Sequence, residues 1–367
     1  MDVSNKKKGR VGCKRKDLEL DRIATVPLNR RKTVRALARS LGISRSTLHR
    51  RFQLGEVTRH TSTVKPVMTP ANMIQRLKFC VSMLDPRWFR HSRIFFQNMD
   101  NIVHIDEKWF YLTRENNTYY LLPGEPRPMR TSKNKSNIAK VMFLTAVAKP
   151  RYGEDGVVTF DDKIGTWAFV EETPAKKKSK NRDRGTLELK SMNVNRDVMR
   201  RYLCEKVVPA IQDVWPDEDE GRTIFIQQDN ARPHVLPNDK GFAEAIAQTD
   251  LDIRLMRQPP NSPDTNVLDL CFFRSLQSLT DTRAPKNIRE LIEGVEEEFQ
   301  NYEVEKLARS FVTLQSCMVE VMNKEGGNNY DIPHMNKDHI LAEGRLPIAL
   351  SITAKLFAQT IALIKAG

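Results

Sequence analysis

Asn101-Ile-Val-His-Ile-Asp106 and Thr223-Ile-Phe-Ile-Gln-Gln-Asp229 are short apolar runs, each closed by an aspartate. Runs of this length and composition, rich in branched and aromatic side chains, predict buried strands. A carboxylate closing such a strand is poorly placed as a surface charge, because the strand carries it to the crevice at the sheet's edge. Residues 139–147, 253–256 and Asn117-Thr-Tyr-Tyr-Leu-Leu122 predict further strands. Residues 194–208 predict a helix, and the helix after Pro259-Pro-Asn-Ser-Pro-Asp264 contains Asp269. Strands first, then alternating helices and strands, indicate an α/β fold built on a mixed sheet.

Asp106, Asp229 and Asp269 are thereby the candidate reactive carboxylates. Converging carboxylates repel one another and are tolerated when they share a divalent cation. Oxygen-only donors select Mg²⁺ or Mn²⁺ over zinc, and two such ions about 3.5–4 Å apart support phosphodiester cleavage. Asp264 competes for the third place, with 34 residues between it and Asp229 against 39 for Asp269. Five residues turn a helix by about 140°, so the two cannot share one site. Asp264 follows Ser-Pro at the position of a helix N-cap, which leaves Asp269 as the inward candidate.

Charge points to a polyanionic partner. The 367 residues carry a net +14, yet residues 1–60 alone hold 17 Lys+Arg against 5 Asp+Glu. Within that block, Val34, Leu37, Ala38 and Leu41 recur at helical spacing. Gly42 suits the left-handed residue that ends the helix, and Ser44 suits the cap of a second one in which Leu48 and Phe52 point inward. Two short helices joined this way predict a helix-turn-helix, with Arg45, Ser46, His49 and Arg50 turned out toward a DNA groove. Upstream, Lys8, Arg10, Lys14 and Arg15 belong to a basic arm suited to phosphates or to nuclear import, which predicts a nuclear protein. Thr69-Pro70 predicts the start of a helix whose stripe is Met73, Leu77, Cys80, Val81 and Leu84.

Several classes are excluded. The most apolar stretch, 346–364, is broken by Lys355, so no membrane span is expected, and no apolar segment follows the basic N-terminus as in a secretory signal. Cys13, Cys80, Cys204, Cys271 and Cys317 are odd in number and scattered, without the pairing of a zinc site or disulfide frame. Residues 290–298, Glu-rich, read as a solvated helical face.

His104-Ile-Asp-Glu-Lys-Trp-Phe110, Gln227-Gln-Asp-Asn-Ala-Arg-Pro-His234 and residues 258–270 together resemble the Tc1/mariner transposases. The 39-residue gap and a final Asp resemble the plant-type mariner-like branch with its DD39D triad. That resemblance implies an RNase H-like catalytic domain, mixed sheet flanked by helices, preceded by an all-α helix-turn-helix region. It implies that Asp106, Asp229 and Asp269 hold two Mg²⁺ or Mn²⁺ ions, with Glu107 and His234 beside them. The reaction implied is cut-and-paste transposition: hydrolysis at terminal inverted repeats of double-stranded DNA, then strand transfer into a TA target by a homodimeric paired-end complex. The alternative is a transposon-derived, non-catalytic DNA-binding regulator, which would have no need of the three acids.

On this reading residues 1–60 are the DNA-binding module, 61–98 a helical linker, 99–282 the catalytic domain with a basic insertion loop at 150–195, and 283–367 a C-terminal helical region. The insertion's Pro174-Ala-Lys-Lys-Lys-Ser-Lys-Asn-Arg182 resembles the family's partner- or DNA-contacting insertion, and serves equally as a solvated basic loop. The family usually carries two helix-turn-helix units joined by a Gly-Arg linker. Gly9-Arg-Val-Gly12 resembles that linker with only eight residues before it, so an N-terminally truncated copy is expected.

Overall fold

The computed structural model describes residues 21–60, 64–113, 119–126, 128–129, 138–161, 163–178, 183–216, 219, 221–333 and 349–367. The chain divides into two units, Met1–Lys65 and Pro66–Gly367.

Local signals build the helices of the first unit. The Thr33 hydroxyl accepts from the Ala36 N–H at 3.1 Å and starts α1, Val34–Leu41. Gly42 ends it at φ 67°, a left-handed conformation a side chain would resist. Ser44 then accepts from the Thr47 N–H at 3.1 Å and starts α2, Arg45–Gln53. Leu37, Ala38 and Leu48 are buried with Val26, and Ile23, Leu41, Ile43 and Phe52 pack around them. Val34, expected in that stripe, is the first residue of α1 and is exposed instead.

The second unit is organised by five strands: β1 Ile102–Tyr111, β2 Lys140–Val147, β3 Lys163–Ala168, β4 Ile224–Gln228 and β5 Ile253–Arg257. Their order is β5-β4-β1-β2-β3, with β5, β4 and β1 parallel and β2 and β3 antiparallel to their neighbours. Side chains alternate across this sheet, so each strand feeds two cores. Ile102, Phe110, Val141, Phe143 and Val147 share one core with α3 (Pro70–Ser82), α6 (268–282), α7 (Ile288–Gln300) and α8 (Val304–Asn323). Helix α6 opens with a π turn, Leu268–Phe272, and continues as Phe273–Thr282. Val103, Ile105, Leu144, Ala146, Ile224 and Ile226 share the other core with α4 (196–214) and with Phe242 of α5 (Lys240–Ile246). Each fully buried Leu, Ile or Phe contributes about 1.5–3 kcal/mol relative to exposure, so the sheet is clamped from both faces.

Four expectations are corrected. Residues 119–122 form no strand, and Tyr120 and Leu122 are exposed. The strand missing there is β3, inside the stretch read as a loop. That stretch also folds Val170–Pro174 against Leu187–Ser191 as an antiparallel hairpin, with Lys176, Lys177, Lys178 and Arg184 near its tip; residues 179–182 lie outside the described ones. Helix α4 is longer than expected, running through Arg196–Tyr202, a π turn at Leu203–Val207 and Val208–Val214. Finally, Asp106, expected to close its strand, lies inside β1, which runs on to Tyr111. Helix α3, capped by Thr69 as expected, buries Leu77 and Cys80 of its apolar stripe in the sheet's core, and Arg93–Phe95 pairs with Ser351–Thr353.

The Glu-rich helix α7 keeps Glu293, Glu296 and Glu297 on its outer face and buries Leu291, Val295 and Phe299. Cys80, Cys204, Cys271 and Cys317 are free thiols; Cys13 lies outside the described residues. Among the described residues no helix is long and apolar enough to cross a membrane.

Candidate active site and nucleic-acid face

The site arises where β1 and β4 part. Their parallel pairing ends at His104 opposite Gln227. Two residues further, Asp106 and Asp229 stand at the same level of the sheet, the first still in β1 and the second just past the end of β4. Pleating sends Asp106 to the α6 face and Glu107 to the α4 face. Asp269 lies in the π turn that opens α6 and is close enough to hydrogen-bond the Asp106 carboxyl. The structure thus brings Asp106, Asp229 and Asp269 within electrostatic reach of one another, with Glu107 beside them.

The charges respond strongly. Burial, with the Asp269 and Glu107 carboxylates adding to it, pushes Asp106 up to about 9. Burial also raises Asp269, although the hydrogen bond to Asp106 and the Lys108 ammonium pull the other way. Asp229 behaves oppositely: burial would raise it, but His234 and the Ala231 N–H, 2.7 Å from its Oδ1, hold it low.

His234 is the bridge. Its Nδ1 reaches Asp229 Oδ1 at 2.7 Å and the Asp229 carbonyl at 2.9 Å, and its Nε2 reaches both Glu107 oxygens at 3.0 Å. Burial would discharge the ring, but these two carboxylates raise it to about 11, so it is an imidazolium donating from both nitrogens. Glu107 and His234, expected beside the three acids, therefore touch each other, and His234 ties Asp229 to the sheet's opposite face.

Other residues of the motifs shape the loops. Gln227 Nε2 donates to the Thr265 carbonyl at 2.8 Å, and Gln228 Nε2 to the Val235 carbonyl at 2.6 Å. Asn266 Nδ2 reaches the Ile105 carbonyl at 3.3 Å and Asp106 Oδ2 at 3.4 Å, while its Oδ1 accepts from the Leu268 N–H at 3.0 Å. The cap at the start of α6 is accordingly Asn266, and the assignment of that role to Asp264 is corrected. Asp264 sits in a separate turn, Pro263–Thr265, and pairs with Arg76 through both carboxylate oxygens at 2.7 Å. Tyr330 donates to it as well. No sequence signal marked Arg76, because its partner lies 188 residues away.

His104 packs edge-on to Phe311 at 5.5 Å, on the same face as Asp106. Burial drives it down to about 3, so the ring is neutral; Asn266 stands near, yet neither ring nitrogen has a hydrogen-bond partner of normal geometry among the described residues.

Among the described residues, no three His, Cys, Asp or Glu side chains are arranged as they stand to hold a metal ion. The donor chemistry nevertheless fits one: Asp106, half-buried, and Asp269, exposed, are neighbouring carboxylates whose repulsion a hard divalent cation would relieve.

In the first unit Arg45, Ser46, His49 and Arg50 are all exposed on α2, and the Ser46 hydroxyl shares a 2.9 Å hydrogen bond with Ser44. Lys8, Arg10, Lys14 and Arg15 lie outside the described residues.

No protein-family model matches the chain. No curated protein matches it. Solved structures do. A pre-cleavage Mos1 transpososome aligns over 90% of this chain and 84% of that chain, with a TM-score of 0.58 and 17% identity. The Mos1 transposase paired-end complex with left transposon end gives 0.55 at 18% identity over the same shares. The Mos1 strand transfer complex gives 0.54 at 18% identity, over 90% of this chain and 83% of that chain. The class of fold is therefore α/β and RNase H-like, a mixed sheet flanked by helices with a helical region before it. The particular proteins this chain resembles in fold are the Mos1 mariner transposase chains of those complexes.

Proposed function

We propose that this chain is a cut-and-paste DNA transposase of the Tc1/mariner type, in the plant-type branch with a DD39D triad. The observation that carries the reading is the convergence of Asp106, Asp229 and Asp269 where β1 runs on past the end of β4, in a fold shared with Mos1 transposase complexes. Asp106, Asp229 and Asp269 would hold two Mg²⁺ or Mn²⁺ ions. Such ions, when bound, activate the attacking oxygen and neutralise the leaving one in phosphodiester cleavage.

The chain's own groups prepare that chemistry. Asp106, pushed up to about 9, would give up its proton to a bound cation, so ion binding would release protons. His234 holds the Asp229 carboxylate ionised and fixed in place, while Glu107 anchors His234 from the opposite face. In the first unit, Arg45, His49 and Arg50 would contact phosphates and base edges of the terminal inverted repeats, with Lys8, Arg10, Lys14 and Arg15 following the backbone. The partners are double-stranded DNA ends, a TA target and a second copy of the chain in a paired-end dimer, and the compartment is the nucleus.

The test is Mg²⁺-dependent excision from a plasmid carrying the cognate inverted repeats, with Asp106→Asn as the control. Excision by the wild type alone is expected. If both proteins bind the ends and neither cuts, the chain is a DNA-binding regulator.

A further inference from the structure

Arg76 is fully buried, among the largest side chains so placed within the described residues, and carries a charge. Its guanidinium forks onto Asp264, Nη1 to Oδ1 and Nη2 to Oδ2 at 2.7 Å each, while Nε donates to the Gly326 carbonyl at 2.8 Å. Tyr330 completes the set with its hydroxyl on Asp264 Oδ2. Burying an arginine costs free energy unless its partners are complete, and replacing the pair with apolar side chains is often neutral or stabilising. Stability alone therefore gives little reason for an ion pair here.

The position of Asp264 gives a better one. It lies in the turn Pro263–Thr265, between β5 and α6, five residues before Asp269. That turn is held from the inner side by contacts to the site: Gln227 on the Thr265 carbonyl, Gln258 Nε2 on the Ser262 carbonyl at 2.9 Å, and Asn266 on Ile105 and Asp106. Asn266 also caps the π turn in which Asp269 sits. From the outer side the Arg76 fork grips it. The turn is thus fixed between α3 and the two strands that carry Asp106 and Asp229.

We propose that Arg76, through Asp264 and with Tyr330, is a positioning residue that holds the 258–266 loop so that Asp269 meets Asp106 in a geometry able to bind divalent cations. This rests on the metal-dependent site proposed above. Arg76 touches neither Asp106 nor Asp269 and acts only by aiming the helix start that carries the third acid.

The experiment measures Mn²⁺ binding to the full chain by the loss of the free-ion electron paramagnetic resonance signal. Wild type is compared with Arg76→Lys, which keeps the charge and loses the fork, and with Tyr330→Phe, which removes one hydroxyl and leaves the fork intact. Tyr330→Phe keeps the measurement open should Arg76→Lys fail to fold. Circular dichroism establishes that each variant is folded. Residues supporting metal ligands typically contribute about 10–100-fold in affinity, so roughly tenfold weaker Mn²⁺ binding is expected in Arg76→Lys and a smaller loss in Tyr330→Phe. Strand cleavage by the folded variants should recover as Mn²⁺ is raised, which a merely loosened fold would not show. Folded variants with Mn²⁺ affinity within about twofold of wild type would overturn the inference while leaving the metal site standing. A wild-type chain that binds no Mn²⁺ would overturn both.

Discussion

Replacing His234 with alanine is the sharpest perturbation of the site that leaves its three acids in place. His234 is 4% exposed and makes contacts of 2.7–3.0 Å to Asp229 and Glu107. Its removal leaves two carboxylates facing each other with no cation between them. A hydrogen bond to a charged group contributes a net of about 1.5–3 kcal/mol. The Glu107 side, where the side chain is only 15% exposed, keeps most of that value; the Asp229 side, 43% exposed, is discounted for solvent screening. The expected loss is about 2–4 kcal/mol. For a unit of this size each kcal/mol moves the midpoint by about 2 °C, so the melting temperature should fall by roughly 4–8 °C. Differential scanning calorimetry of the full chain at neutral pH, without divalent ions, measures it. His234→Gln, which retains a donor toward one carboxylate, should fall between wild type and His234→Ala. A midpoint unchanged within about 1 °C would refute the bridge and the electrostatic role given to it.

Three further outcomes follow from other parts of the chain. Leu48→Ala removes a fully buried side chain at a cost of about 2–5 kcal/mol, comparable with all the stability a unit of this size usually has; DNA binding by fluorescence anisotropy should vanish while the second unit's melting is unchanged. Gly326→Ala meets φ +89° and would set a Cβ 2.4 Å from the Met73 carbonyl oxygen, so its urea midpoint should reflect a loss of at least about 1–3 kcal/mol. Asp264 is raised by burial but lowered more by Arg76 and Tyr330, with Cys80 the other titratable group against Arg76. A folded carboxyl held below its unfolded value of about 3.9 adds stability that is complete above that pH and lost as pH falls through the folded value. Below about pH 4, wild-type stability should therefore drop more steeply than that of Asp264→Asn in acid titrations followed by circular dichroism.

What could be read from the chain beforehand was what is local or periodic. Thr33, Gly42 and Ser44 announce the two helices of the first unit because caps act within three residues of themselves. Strands β1 and β4 showed as apolar runs because both their faces are buried, but only Asp229 follows a strand's end; Asp106 lies inside β1, where pairing with β2 carries the strand on to Tyr111. Strand β3 did not show: Lys163-Ile-Gly-Thr-Trp-Ala168 is short, begins with a lysine and carries a glycine. Tyr119-Tyr-Leu-Leu122 misled in the opposite direction, since high strand propensity says nothing about whether a sheet edge is there to receive it. Nor could the Arg76–Asp264 fork be read, for a contact spanning 188 residues leaves no spacing signal. The place of Asp264 was not legible either: it is held by Arg76 and does not cap the helix, a role that falls to Asn266.

The claim that Asp106, Asp229 and Asp269 form a DNA-cutting centre is tested most directly by single-turnover cleavage of an end-containing duplex in Mg²⁺. The comparison is wild type against Asp106→Asn, Asp229→Asn and Asp269→Asn, each first shown to be folded and to bind the duplex. The account predicts cutting by the wild type and none by any of the three variants. Cutting that survives in any one of them, at the wild-type rate, would contradict it.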